Sequence, residues 1–152
     1  MVSNVFTFSY RDIQDYTSMI SLIDDMKRRT EQPAAQLLLQ NSDFMYWYSF
    51  ALVRRNQPTD RAKALDVIEK LCNDTSYSNP DGVCLCGRIY KDMFAESKYI
   101  NRSQLLKAIE WYRKGFSVSM TNSNSLMFYH HLVSFYVSSL CFFMEVRYLL
   151  IQ

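Results

Sequence analysis

The side chains able to carry chemistry are few, and their spacing decides what they can do. Cysteines stand at Cys72, Cys84, Cys86 and Cys141, and no two have the C-x-x-C separation that wraps a tetrahedral zinc ion. On a helix Cys84 and Cys86 point to different sides, which argues against a bridge between them. Arg88 and Lys91 lie close enough to activate a Cys84 thiolate, but no histidine accompanies it. The cysteines therefore read as reduced, buried thiols of a cytoplasmic protein. His130 and His131 are adjacent rather than four apart, so they do not face one metal from one helix. The glycines, Gly82, Gly87 and Gly115, cannot be written into either G-x-G-x-x-G or G-x-x-x-x-G-K-[ST]. The expectation is a chain with no metal, no cofactor, no nucleotide chemistry and no enzymatic activity.

Charge points to binding rather than chemistry, and only weakly to a particular partner. Seventeen Lys and Arg against fifteen Asp and Glu leave a formal charge of +2, too small to announce nucleic acid or an acidic membrane. The basic residues Arg54, Arg55, Arg61 and Lys63 gather around one turn, with Lys27, Arg28 and Arg29 as a second cluster. Aromatics are not interleaved with the first cluster as a single-stranded nucleic acid platform requires. Its two readings are a solvated face and a candidate protein-partner surface. Trp47 and Trp111 read as packing residues rather than a ligand box.

Helices must position these groups. Aromatics make up 15% of the chain, while three glycines and three prolines give little turn chemistry for many short strands. Residues 1–9 form a brief β-branched lead-in. From Asp12 to Lys27 the residues Ile13, Tyr16, Met19, Ile20, Ile23 and Met26 recur at helical steps, with Ser9 and Asp12 as the capping arrangement. Pro33 interrupts, Ala34 to Gln40 restarts a short helix, and Asn41, Ser42 and Asp43 cap the next. Phe44 to Arg55 and Asp60 to Cys72 make a helical hairpin across Asn56 to Asp60, which also supplies the cap. Asn73 to Gly82 reads as a polar loop. A second hairpin follows, Val83 to Phe94 and Ser103 or Gln104 to Phe116.

The second hairpin carries a repeat signature. Tetratricopeptide units place small residues and aromatics at fixed offsets, so that backbones approach closely and rings fill the gaps. Cys86-Gly87, Tyr90, Ala108, Tyr112 and Gly115 occupy those positions, and Trp111 joins them as a packing residue. From Tyr90 to Ala108 the separation is roughly twice that of the consensus unit, so the first helix or the connection from Ala95 to Arg102 is lengthened. The first hairpin matches less well, with Arg54 where the tyrosine belongs. The fold class expected is all-α, antiparallel helical hairpins stacked as a short tetratricopeptide-like solenoid.

The chain then changes character. No charged residue occurs between Lys114 and Glu145, and Leu126 to Met144 is nearly long enough to span a hydrocarbon core. Histidines and serines within it weaken that reading, so a membrane span at 126–144 is the lesser alternative to a buried repeat helix or an exposed apolar end. The N-terminus lacks the basic-then-apolar pattern of a secretory signal.

Four ordered segments carry a family resemblance: YRDIQDY from Tyr10, FALVRRNQPTDRAKALD from Phe50, CLCGRIYKDMF from Cys84 and AIEWYRKGF from Ala108. Together they resemble the central regulatory region of the apoptosis signal-regulating kinases, MAP kinase kinase kinases of stress signalling. The resemblance implies tetratricopeptide-like repeats over residues 10–116 that bind tumour-necrosis-factor-receptor-associated factors. It also implies contact with the neighbouring thioredoxin-binding and kinase domains, and regulation of that kinase. Residues 117–152 depart from the pattern as a divergent apolar tail. The sequence contains none of the Gly-rich loop, V-A-I-K, H-R-D or D-F-G motifs of a kinase. Nor does Pro33, Pro58 or Pro80 sit in a short P-x-Q-E-type peptide, so recognition would use a folded surface. A membrane-anchored adaptor and a truncated product without independent function are the alternatives.

Overall fold

In the computed structural model, residues 14–29 and 31–121 are described, and among them the chain is all-α. Six helices follow in order: α1 Tyr16–Arg28, α2 Pro33–Gln40, α3 Ser42–Arg55, α4 Asp60–Asn73, α5 Pro80–Glu96 and α6 Arg102–Thr121. Asparagine and aspartate caps set several of the starts. Asp15 accepts the Ser18 N–H at 3.0 Å, Asn41 accepts that of Phe44 at 2.9 Å, and Asn79 accepts that of Asp81 at 2.9 Å. Asn41 both ends α2 and caps α3, which forces a sharp change of direction with no loop between them.

Three boundaries differ from the sequence reading by more than two residues. Helix α1 begins at Tyr16 with Asp15 as its cap, while Ser9 and Asp12 lie outside the described residues. Pro80, Asp81 and Gly82, expected in a loop, form the first turn of α5, because Asn79 caps it and proline at the first helical position gives up no hydrogen bond. Helix α6 continues past Phe116 to Thr121. The connection between α5 and α6 is only Ser97 to Asn101, so the added length lies in the helices themselves. The apolar run 126–144, His130, His131 and Cys141 lie outside the described residues. Among those described, no helix is long and apolar enough to cross a membrane.

Each helix packs on the next in the chain, and α1 also packs on α3; the α5–α6 contact is the most extensive. Cross-helix pairs give the directions. Asp24 and Lys27 of α1 meet Tyr48 of α3, while Tyr16 meets Phe50 and Arg54, so those helices run antiparallel. Helices α4 and α5 are likewise antiparallel, because Cys72 faces Cys86 and Glu69 faces Tyr90. One core runs through four of the helices, Met19, Ile20 and Ile23 of α1, Tyr48, Ala51 and Leu52 of α3, Ala64 and Ile68 of α4, and Val83, Cys86 and Ile89 of α5, with Leu38 and Leu39 of α2 and Trp111 of α6 packed against it. Each of the larger aliphatic side chains among them stabilises the fold by roughly 1.5–3 kcal/mol through burial.

Candidate functional site

Helix geometry scatters the basic cluster of the first turn into different environments. Asn56 ends α3 in the left-handed conformation, φ 53°, ψ 42°, which turns the chain back within four residues. Asp60 then lies fully buried at the start of α4, where its carboxylate could not remain ionised without partners. It has three. Arg55 Nε donates to Oδ2 at 2.8 Å, Arg55 Nη2 donates to Oδ1 at 2.7 Å, and the Gln57 N–H donates to Oδ2 at 3.0 Å. The Arg55 hydrogen bonds hold the Asp60 carboxyl below its ordinary range, and the same bonds raise the guanidinium. Arg55 is therefore the partner of a buried acid, with little side chain left for another protein.

Arg61 is also engaged, donating to Asn56 Oδ1 at 2.8 Å and pairing with Glu96 at the end of α5. Arg54 and Lys63 remain exposed. Arg54 lies 5.9 Å from the Tyr16 ring centroid and 6.0 Å from that of Phe50. The basic quartet is thus two intramolecular clamps, Arg55 and Arg61, and two outward charges, Arg54 and Lys63.

Beside Arg54 is a half-buried aromatic patch that sequence reading had given to packing alone. Trp47 and Phe50 meet edge-to-face at 5.5 Å, Tyr46 contacts Trp47 at 5.0 Å, and Tyr16 reaches Phe50 at 6.2 Å. On α3 the positions 47, 50 and 54 fall on one stripe, so the rings and the guanidinium share a face. Aromatic surface next to an exposed arginine is the composition that protein interfaces favour. Of the second basic cluster, Arg28 and Arg29 are exposed and Lys27 is half-buried. Lys27 sits 3.8 Å over the Tyr48 ring, with burial pushing its ammonium below its ordinary range, and Arg28 pairs with Asp25. Tyr48 donates to Asp24 Oδ1 at 2.6 Å; burial, followed by that bond, raises its phenol.

The repeat-signature residues meet across α5 and α6. A Cβ on Gly87 would stand 2.9 Å from the Tyr112 ring, and one on Gly115 would stand 2.6 Å from Cys84 Sγ. Glycine here is the condition for the helices to approach. Ala108 is buried, and Trp111 is partly buried with Lys114 Nζ 4.8 Å above its ring. Tyr90 donates to Glu69 Oε1 of α4 at 2.6 Å, and Lys107 of α6 donates to Tyr90 Oη at 3.4 Å. One phenol thereby ties three helices. These residues pack the second hairpin together and onto α4.

Comparison with known proteins gives this surface a context. The sequence pattern of the MAP3K TRAFs-binding domain matches residues 1–125. Mitogen-activated protein kinase kinase kinase 15 of Mus musculus is 44% identical over 110 residues, 72% of this chain and 8% of that protein. Mitogen-activated protein kinase kinase kinase nsy-1 of Caenorhabditis elegans is 42% identical over 123 residues, 76% of this chain and 8% of that protein. Human mitogen-activated protein kinase kinase kinase 5 is 37% identical over 113 residues, 74% of this chain and 8% of that protein. The chain spans about 8% of the length of these relatives.

Proposed function

The chain belongs to the MAP3K TRAFs-binding domain family of the apoptosis signal-regulating kinases, and from that premise we propose that it is a non-catalytic interaction module. Its partners are tumour-necrosis-factor-receptor-associated factors, taken on a folded helical surface rather than through an extended peptide. The observation that carries this reading is the family match running through every described helix. In the longer relatives the same region would position such factors against the neighbouring thioredoxin-binding and kinase domains, and so regulate the kinase. The hairpins act as a short tetratricopeptide-like stack in the cytoplasm, with the module in the region read as 10–116 and the divergent tail behind it.

On this reading the contact face is the Trp47, Phe50 and Arg54 stripe of α3, with Lys63 as the other outward charge of the same hairpin. Arg55 and Arg61 support it from within. Capture of receptor-associated factors by the full chain is expected, and an Arg54→Glu, Lys63→Glu variant is expected to bind on the order of tenfold more weakly with unchanged helicity. Absence of capture by the folded full chain overturns the proposed partner. Capture that ignores both reversals moves the contact to another face.

A further inference from the structure

Cys72 and Cys86 are distant in sequence and adjacent in space. Cys72 lies in the last turn of α4 and Cys86 in the second turn of α5, and their sulfurs are 3.8 Å apart, with the Cys86 S–H donating to Cys72 Sγ. No other pair of cysteines among the described residues is bonded in this way. Lys114 of α6 donates to the Cys72 carbonyl oxygen at 2.8 Å, placing a cation beside that thiol. The hydrogen bond from Cys86, then this charge, hold the Cys72 thiol below its ordinary range against burial and the Glu69 carboxylate. Cys86, as donor, is pushed up by the same bond and by burial. The pair is therefore asymmetric, with Cys86 as the donor, Cys72 as the acceptor and the Lys114 cation on the Cys72 side.

Cys84 makes the contrast. It faces Gly115 on α6, and burial pushes its thiol up to about 12. Cys72 is buried at 3% exposure, but it stands one residue from the end of α4 and before the exposed stretch Asn73 to Ser76. A final helical turn opens at low free energy, which gives a small oxidant a route that the middle of a helix would deny.

We propose that Cys72 and Cys86 are an oxidisable dithiol, which hydrogen peroxide converts into a disulfide tying the end of α4 to the start of α5. The Cys72 thiolate attacks one peroxide oxygen, the O–O bond breaks, and the hydroxide released takes up a proton as water. The sulfenic acid on Cys72 is then attacked by the Cys86 sulfur; the S–O bond breaks, and the Cys86 proton leaves with the hydroxyl as a second water. Two thiols lose two electrons and two protons, and one peroxide becomes two waters. The product fastens the first hairpin to the second without changing which faces meet.

The test is peroxide treatment of the full chain, followed by alkylation, intact mass and cleavage before aspartate. Trypsin is uninformative because no Lys or Arg lies between Leu71 and Cys86, whereas Asp74 and Asp81 separate Cys72 from the other two. Expected are a loss of about 2 Da, a Cys72 peptide joined to the Cys86 peptide, and the same link in Cys84→Ser. Fragmentation of the joined wild-type peptides distinguishes Cys84 from Cys86 if the variant fails to fold. The oxidised chain should melt at least about 4 °C higher, and dithiothreitol should reverse this. Both thiols left alkylatable after denaturation, separate sulfinic acids, or links through Cys84 or Cys141 each overturn the proposal.

Discussion

At the α3–α4 turn Arg55 meets a fully buried Asp60, whereas at the α5–α6 interface Gly87 lets the Tyr112 ring lie against helix backbone. Both join a helix to its successor, and they fail differently. An ion pair out of water is directional and depends on both members, since removing one leaves the other with its full desolvation cost. A glycine contact is indifferent to protons and salt, and is sensitive to a single methyl. The first hairpin is fastened by charge and the second by shape.

The largest expected effect attacks the charged fastening. Arg55→Met strands the Asp60 carboxylate and should cost about 3–5 kcal/mol in denaturant unfolding, while Arg55→Met with Asp60→Leu should recover most of it. Recovery failing in the double variant would mean that the pair contributes more than mutual compensation. Gly87→Ala comes next. Its methyl displaces Tyr112 at a cost of roughly 1–3 kcal/mol, against a helix-propensity gain of about 1 kcal/mol, so a small net loss is expected. A stabilised Gly87→Ala would show that the second hairpin has slack and erase the contrast.

Acid separates the two fastenings without mutation of the second. The folded-state carboxyl of Asp60 is lowered, so its stability contribution is complete above the unfolded value near 3.9 and is lost as pH falls through the folded value. Below about pH 4 the wild type should therefore lose more stability than the Arg55→Met, Asp60→Leu variant; parallel losses would assign acid sensitivity elsewhere. Tyr90→Phe removes the bond to Glu69 that joins α4 to α5, and a loss of about 1 kcal/mol is expected. Smallest of all, Arg54→Glu should move stability by less than about 0.5 kcal/mol, since the side chain is exposed and its ring contacts are long. That variant reads binding almost free of folding.

The all-α architecture was legible because its signals are local. Periodic apolar residues and Asn41 as a cap each act within a few positions, and the helices form where those signals stand, while Pro33, read as an interruption, is the first residue of α2. Pro80 misled for a related reason: Asn-Pro-Asp-Gly has turn chemistry, and only the Asn79 cap turns the same residues into a helix start. Gly87 and Gly115 lie where α5 and α6 approach closely. The candidate surface was less readable. Arg54, Arg55, Arg61 and Lys63 look alike as a charge run, and their division depends on which one meets buried Asp60 and which meets Glu96 from α5. The Cys72–Cys86 approach was invisible, since it depends on the register of α4 against α5 and no spacing rule encodes that.

That register restricts how the chain can vary in length. Along α5, Cys86, Gly87 and Tyr90 answer to Cys72, Tyr112 and Glu69 on two different helices. One residue inserted ahead of Cys86 within the helix would rotate all three by about 100° and separate every pair at once. An extra residue between Asp74 and Ser78, or between Ser97 and Asn101, leaves the rotation untouched. Insertions and deletions should therefore collect in those two connections, and α5 should keep its length even where its residues change.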